Sequence, residues 1–178
     1  MNKKSIDVSA LALQPFNTLG SEGVLLVSGS SVTQCNLMTI SWGLFGIMWG
    51  KPIVMVLVRP TRYTWGFISK APDFTVNWMS REHAAALALC GTKSGRQMNK
   101  FAAAKLHPVV GQTVVSPVIE ESILSLECRV VYTDILKPGN CLAPEILECY
   151  PNKDFHGLFY GEIVTAVGTT EFEIPRKK

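Results

Sequence analysis

The hydrophobic positions fall in short runs of strand length, not in long helical stripes. Val24-Leu25-Leu26-Val27-Ser28 is β-branched and apolar, and predicts a first core strand entered from a turn at Glu22-Gly23. Gly29-Ser30-Ser31 turns the chain into a second strand, Asn36-Leu37-Met38-Thr39-Ile40-Ser41-Trp42. Alternation puts Asn36, Met38, Ile40 and Trp42 on one of its faces and Leu37, Thr39 and Ser41 on the other. From Gly43 to Gly50, glycines interleave with large apolar groups and keep neither period, which reads as a loop or distorted strand end. Those apolar groups need a partner surface, such as a second subunit or a bound aromatic ring, unless they form an internally packed hairpin loop. Lys51-Pro52 reads as a turn, and residues 53–58 as a strand buried on both faces and stopped by Arg59-Pro60.

Thr61 is the expected N-cap of a short helix over 62–70. Residues 74–79 alternate as a strand. Ser80 is the expected cap of a helix over 81–90, with Gly91 at its stop, and a third short helix covers 99–105. Residues 123–133 alternate most clearly, with Leu124, Leu126, Cys128, Val130 and Tyr132 inward and Ser125, Glu127, Arg129 and Thr133 outward. Lys137-Pro138-Gly139-Asn140 is a turn, 158–167 the last strand, and Arg176-Lys177-Lys178 a frayed tail. Six or so strands with two or three short helices, all connections permitting antiparallel pairing, suit a closed or split barrel.

At 178 residues the length predicts a single domain over 1–178. Hydrophobic residues make up 47% and charged residues 17%, so core material is ample and polar surface is thin, which favours burial against a second subunit. A net charge of +3 with scattered Lys and Arg and no nucleic-acid motif gives no reason to expect nucleic acid. Met1-Asn2-Lys3-Lys4 resembles the start of a signal peptide, but Asp7 and Pro15 interrupt the stretch after it. The apolar stretch 43–58 is broken by Lys51-Pro52, short of the about 18 residues a membrane helix needs. The expectation is a cytoplasmic protein, not a membrane one. Cys35, Cys90, Cys128, Cys141 and Cys149 contain no C-x-x-C pair, and Cys141, Cys149 and His156 fit no common zinc spacing, so no metal is expected.

Candidate chemistry concentrates in two stretches. The small hydroxyls of Thr39 and Ser41 let a flat ligand approach the 36–42 strand and offer hydrogen bonds. Arg59-Pro60-Thr61-Arg62-Tyr63-Thr64 carries two guanidiniums and three hydroxyls, a composition suited to a phosphate. A polar-edged ring beside the first and a phosphate beside the second describe flavin mononucleotide (FMN). The alternative is that both arginines are solvated and Thr61 merely caps. The basic loop Thr92-Lys93-Ser94-Gly95-Arg96 is a further candidate for the phosphate.

These stretches, with Phe74-Thr75-Val76-Asn77, resemble the flavin reductase-like FMN-binding split-barrel family, and its flavoredoxin branch in particular. Ser94-Gly95-Arg96, Asn99-Lys100-Phe101, Pro117-Val118-Ile119-Glu120, Ser125-Leu126-Glu127-Cys128 and His156-Gly157-Leu158-Phe159-Tyr160-Gly161 resemble later family blocks, so the likeness covers about residues 15–168. It implies a mainly β fold, a split antiparallel β-barrel of Greek-key type, forming a homodimer with tightly bound FMN near the interface. Asn36, Met38, Thr39, Ser41 and Trp42 would then lie along the isoalloxazine and ribityl chain. Arg59, Thr61, Arg62, Tyr63 and Thr64 would lie near the phosphate, with Ser94, Arg96 and Lys100 completing that site. His156 would act near the flavin or an incoming nicotinamide, as the catalytic candidate. The chain departs from the family at Asn99, where an acidic residue is frequent, and at Asp154-Phe155-His156, where nicotinamide-using members have an Asp-His pair. The implied activity is hydride transfer from NADH or NADPH to flavin, then on to free flavin or a ferric chelate. The alternative is a non-enzymatic flavoredoxin-type carrier reduced by a partner protein; a barrel holding another group such as haem is a third reading.

Overall fold

The computed structural model describes residues 2–175; the expected frayed tail, 176–178, lies outside them. Eight strands make one antiparallel sheet: β1 (Lys4–Ser5), β2 (Val24–Gly29), β3 (Cys35–Ile40), β4 (Gly43–Met48), β5 (Lys51–Val58), β6 (Asp73–Trp78), and, after a separate ribbon of β7 (Pro108–Val109) and β8 (Val118–Ile119), β9 (Leu124–Ile135) and β10 (Gly157–Gly168). The order across the sheet is β3-β2-β6-β9-β10-β5-β4, with β1 on β10. Its two edges, β3 and β4, are consecutive in the chain and separated only by Ser41 and Trp42. So short a link holds the end of β3 within about 11 Å of the start of β4, so the sheet must curl round on itself. The two edge strands do not pair with each other. The result is a split antiparallel barrel.

Burial explains the strand sequences. On β2, Val24 and Leu26 enter the barrel core, while Leu25 and Val27 enter a second core. That second core lies against α3 (Ala84–Thr92) and α4 (Lys100–Ala104), through residues such as Leu87, Cys90 and Phe101. A strand apolar on both faces is what a doubly covered sheet requires. The remaining helices, α1 (Pro15–Asn17), α2 (Trp65–Ile68) and α5 (Pro144–Glu148), span one turn or so each.

Several expectations are corrected. Residues 43–48 form a true strand, β4, because Gly43 to Met48 pair residue by residue with β5. The turn is Trp49-Gly50, both at positive φ (55° and 70°), not Lys51-Pro52. Pro52 sits inside β5, just before the pairing with β10 begins at Ile53, so its missing N–H costs no ladder bond there. The second strand ends at Ile40 instead of Trp42. The helix expected over 62–70 contracts to α2, whose N-cap is Thr64, and Thr61 does not cap it. Ser80 makes no capping bond to α3, and the helix runs through Gly91 to Thr92.

On β9 the outward assignment fails for two residues. Ser125 and Glu127 are buried, whereas Tyr132 is exposed. The reason is polar. Glu127 accepts the backbone N–H groups of Gln112, Thr113 and Val114 at 2.8, 2.6 and 3.0 Å, and Asp73 accepts those of Val115 and Ser116, each at 2.9 Å. Two buried carboxylates thus anchor a loop that covers the sheet's outer face. No helix among the described residues is long and apolar enough to cross a membrane.

Candidate functional site

The functional candidates collect at the split. Two clefts adjoin there and share Met38 and Arg62 as common walls. The first, about 170 Å³, is lined by Asn36, Thr61, Tyr63, Thr64, Ser94, Arg96 and Lys100, together with Cys90 to Lys93 from the end of α3. The second, about 260 Å³, is lined by Thr39, Ile40, Ser41, Trp42, Leu57, Arg59 and His156. Every site candidate read from the sequence therefore lies in one cleft or the other. In the sequence those residues are spread from Asn36 to His156, and the barrel closes that distance.

The first cleft is cationic. Arg62, Lys93, Arg96 and Lys100 line it, and no carboxylate does. Among the described residues the Arg62 guanidinium has no hydrogen-bond or ion-pair partner. Arg96 donates to the Thr61 carbonyl at 3.0 Å, and its guanidinium lies 5.4 Å from the Tyr63 ring centroid. Lys100 is buried, and its ammonium donates to the Cys90 carbonyl at 2.9 Å. Burial pushes its pKa down; the Cys90 thiol opposes this and the neighbouring Arg62 adds to it. The Arg62 charge thus raises the cost of charging Lys100, and an anion between the two would relieve it.

Asn36 shapes one wall of the first cleft. Its amide donates to Thr64 Oγ1 at 2.8 Å and to the Leu37 carbonyl at 3.2 Å. Gly95 packs so closely that a Cβ there would lie 2.3 Å from Asn36 Oδ1 and 2.6 Å from Tyr63 Cδ1. Only glycine lets this loop approach. β3 is a sheet edge, so alternate backbone groups along it point away from β2 and remain unpaired in the sheet. The Thr39 hydroxyl is committed to the Leu87 carbonyl at 2.6 Å. Ser41 and Trp42 are exposed at the cleft mouth.

Arg59 differs from Arg62. Its guanidinium pairs with Asp154 at 2.6 Å, donates to the Cys149 carbonyl at 2.8 Å and covers the Tyr150 ring at 4.8 Å. The Thr61 hydroxyl also reaches Asp154, at 3.3 Å. Desolvation pulls Asp154 up, but Arg59 and the hydrogen bonds it accepts hold it below the usual carboxylate range. Arg59 therefore braces the 149–156 segment against the end of β5. His156 is buried at the start of β10, with its Nδ1 2.7 Å from the Tyr150 hydroxyl and its ring 5.2 Å from Trp42. Burial, reinforced by Arg59 and Arg62 and opposed by Asp154, pushes its pKa down to about 4, so the ring is neutral at pH 7.

Of the tryptophans, Trp42 lines the second cleft. Trp49 packs instead on Tyr132 and Tyr160, Trp65 on Phe159 and Trp78 on Phe45. Sequence reasoning names Lys93 and Asp154 only as members of the 92–96 loop and of the 154–156 departure, and Tyr150 not at all. Lys93 is within its reach, as a member of the basic loop 92–96. The structural roles of Tyr150 and Asp154 carry no local signal, because they come from contact with His156 and Arg59.

Comparison with known proteins places the chain. Residues 20–174 match the family described as flavin reductase like domain. A flavoredoxin from Methanosarcina acetivorans is similar at a TM-score of 0.62 and 26% identity, over 83% of this chain and 69% of that one. A flavoredoxin of Desulfovibrio vulgaris (Miyazaki F) matches at 0.62 and 23%, over 82% and 68%. An FMN-binding domain of a flavin reductases-like enzyme from Shewanella baltica OS155 matches at 0.67 and 18%, over 96% and 78%. With a family match across most of its length and the split barrel those structures share, this chain belongs to the flavin reductase-like domain family.

Proposed function

We propose that the chain binds FMN across the two clefts and works as an oxidoreductase, taking a hydride from NADH or NADPH and passing electrons to a small acceptor such as free flavin or a ferric chelate. One observation carries the proposal: Arg62, Lys93, Arg96 and Lys100 line a single cleft with no carboxylate among them. Such a cation set fits a phosphate dianion. Arg62 and Lys100 would hold it, with Tyr63, Thr64 and Ser94 around it and Arg96 and Thr61 at the rim. The β3 edge, with Asn36, Met38, Thr39, Ser41 and Trp42, would take the ring and its ribityl chain. Bound FMN supplies a two-electron centre that the side chains here do not offer. The protein's own part is to hold the ring against the strand edge, cover it with Trp42 and present the neutral imidazole of His156 beside it. Arg59 keeps the segment carrying His156 in place through Asp154.

The test is spectral. Purified protein mixed with FMN and passed through a desalting column should stay yellow, and should then oxidise NADH or NADPH with free flavin or ferric chelate present. Colourless protein after that treatment overturns the proposal. The flavoredoxin likeness at 26% identity favours a second reading, an electron carrier reduced by a partner protein. Retained flavin with no nicotinamide oxidation, but bleaching by a reduced partner, selects the carrier. A homodimer is part of the same proposal: Leu44, Ile47 and Met48 expose apolar side chains along the edge strand β4. Sedimentation equilibrium at twice the chain mass is the expected result.

A further inference from the structure

His156 has two ring nitrogens, and only one of them has a hydrogen-bond partner among the described residues. Nδ1 lies 2.7 Å from the Tyr150 hydroxyl, and Tyr150 is itself buried. A phenol carries one O–H, and a buried O–H requires an acceptor. Among the described residues the only acceptor in bonding reach of this hydroxyl is His156 Nδ1; the other polar group beside the ring, the Arg59 guanidinium, is a donor only. The O–H therefore points at Nδ1, which must present its lone pair. In a neutral imidazole the proton then sits on Nε2.

Among the described residues Nε2 has no hydrogen-bond partner, yet no buried side-chain nitrogen or oxygen among them lacks one. Nε2 is therefore open to solvent, and the cleft that His156 lines is the one holding Trp42 and the β3 edge. We infer that Tyr150 is a positioning residue, whose hydroxyl fixes His156 as a neutral Nε2–H donor facing the ring-side cleft, where it hydrogen-bonds an electron-rich oxygen or nitrogen of the bound molecule. The identity of that molecule rests on the flavin reading above; the tautomer does not. The hydroxyl's hold is itself well supported. The Tyr150 ring stacks on Phe155 at 4.6 Å and is covered by Arg59, so it has little freedom to turn away. In this role His156 donates a hydrogen bond without handing over an imidazolium proton at neutral pH.

The experiment is a long-range ¹H–¹⁵N spectrum of the flavin-free protein at neutral pH, with His156 assigned by comparison with His156→Gln. The parent should show the Nε2–H tautomer alone. Tyr150→Phe keeps the stacked ring and removes only the hydroxyl, so it should show a mixture of the two neutral tautomers. An Nδ1–H tautomer in the parent overturns the inference, as does an unchanged pattern in a folded Tyr150→Phe. If that variant does not fold, the parent spectrum alone decides. Adding FMN to the parent should shift the Nε2 resonance. Binding without a shift removes the imidazole from the cleft. Failure of FMN to bind sinks the flavin reading while the tautomer stands on the flavin-free spectra.

Discussion

Acidification should destabilise the flavin-free protein through His156. In the folded chain its pKa is about 4, against the ordinary value of 6.5 expected for the unfolded chain. Above pH 6.5 both states hold the ring neutral, and stability is unaffected. Between pH 6.5 and about 4 only the unfolded chain takes up the proton, so stability falls as pH falls. Below about 4 both states are protonated and the loss from this group stops. A gap of about 2.5 pH units corresponds to at most ~3 kcal/mol. Because Nε2 faces a solvent-filled cleft, screening reduces this, and a loss of roughly 1–3 kcal/mol is expected. The groups facing the ring are Arg59, Arg62 and Asp154, with the Tyr150 hydroxyl on Nδ1. Only Asp154 titrates near this range, and its depressed pKa keeps it charged through most of it. The assay is urea unfolding of the parent and of His156→Gln from pH 7.5 to 4, roughly the window in which the unfolded chain alone takes up the proton. Titrations elsewhere cancel in the difference between the two proteins. That difference should shift against the parent across the window, and a difference flat to within about 0.5 kcal/mol would refute the buried, neutral assignment.

Three further predictions address other parts of the molecule. Arg62→Ala should weaken FMN binding by roughly ten- to a hundredfold, the loss of a charge-assisted contact of about 1.5–3 kcal/mol, while urea stability moves by less than about 0.5 kcal/mol; equal FMN affinity in a fluorescence titration would remove Arg62 from the phosphate site. Gly95→Ala places a methyl 2.3 Å from Asn36 Oδ1, on a side chain tied to Thr64, and should cost about 1–3 kcal/mol of stability and reduce FMN retention; parent-like melting and binding would show that the loop moves freely. Glu127→Gln keeps the volume but leaves one oxygen for the N–H groups of Gln112, Thr113 and Val114, and should cost roughly 2–4 kcal/mol in urea unfolding without altering FMN affinity. A change in affinity there would mean that the outer-face loop communicates with the split.

The strands that bury apolar groups on both faces are legible because the residues themselves state that both sides are dry. Runs such as 24–27 and 53–58 leave little choice but a covered sheet. Where the sequence misleads, a polar group is satisfied at long range. Glu127 looks like an outward residue in a period-two pattern, and only the loop N–H groups it accepts explain its burial. The 43–50 stretch misleads for a related reason. Its glycines disguise a strand whose identity is set by pairing with β5, while the turn depends on the positive φ of Trp49, a residue with no sequence preference for it.

The same distinction separates the two arginines of the Arg59-Pro60-Thr61-Arg62 segment. By composition they are equivalent, and both are candidates for the phosphate. Arg59 closes β5 next to the start of β10, within reach of Asp154 across the ladder that pairs Val58 with Gly157. Arg62 stands past the strand end, in the turn before α2, where the neighbouring wall is the basic 92–96 loop and offers it no acid. One arginine is therefore neutralised by its own chain, and the other has no acid partner among the described residues. Pairing across the barrel makes that choice, and no property of the six-residue segment contains it. A carboxylate engineered into the basic loop tests the point: Ser94→Asp would give Arg62 a partner from within, and it should lower FMN affinity even though every cation is still present. Unchanged affinity would mean that the free charge of Arg62 is not what recruits the ligand.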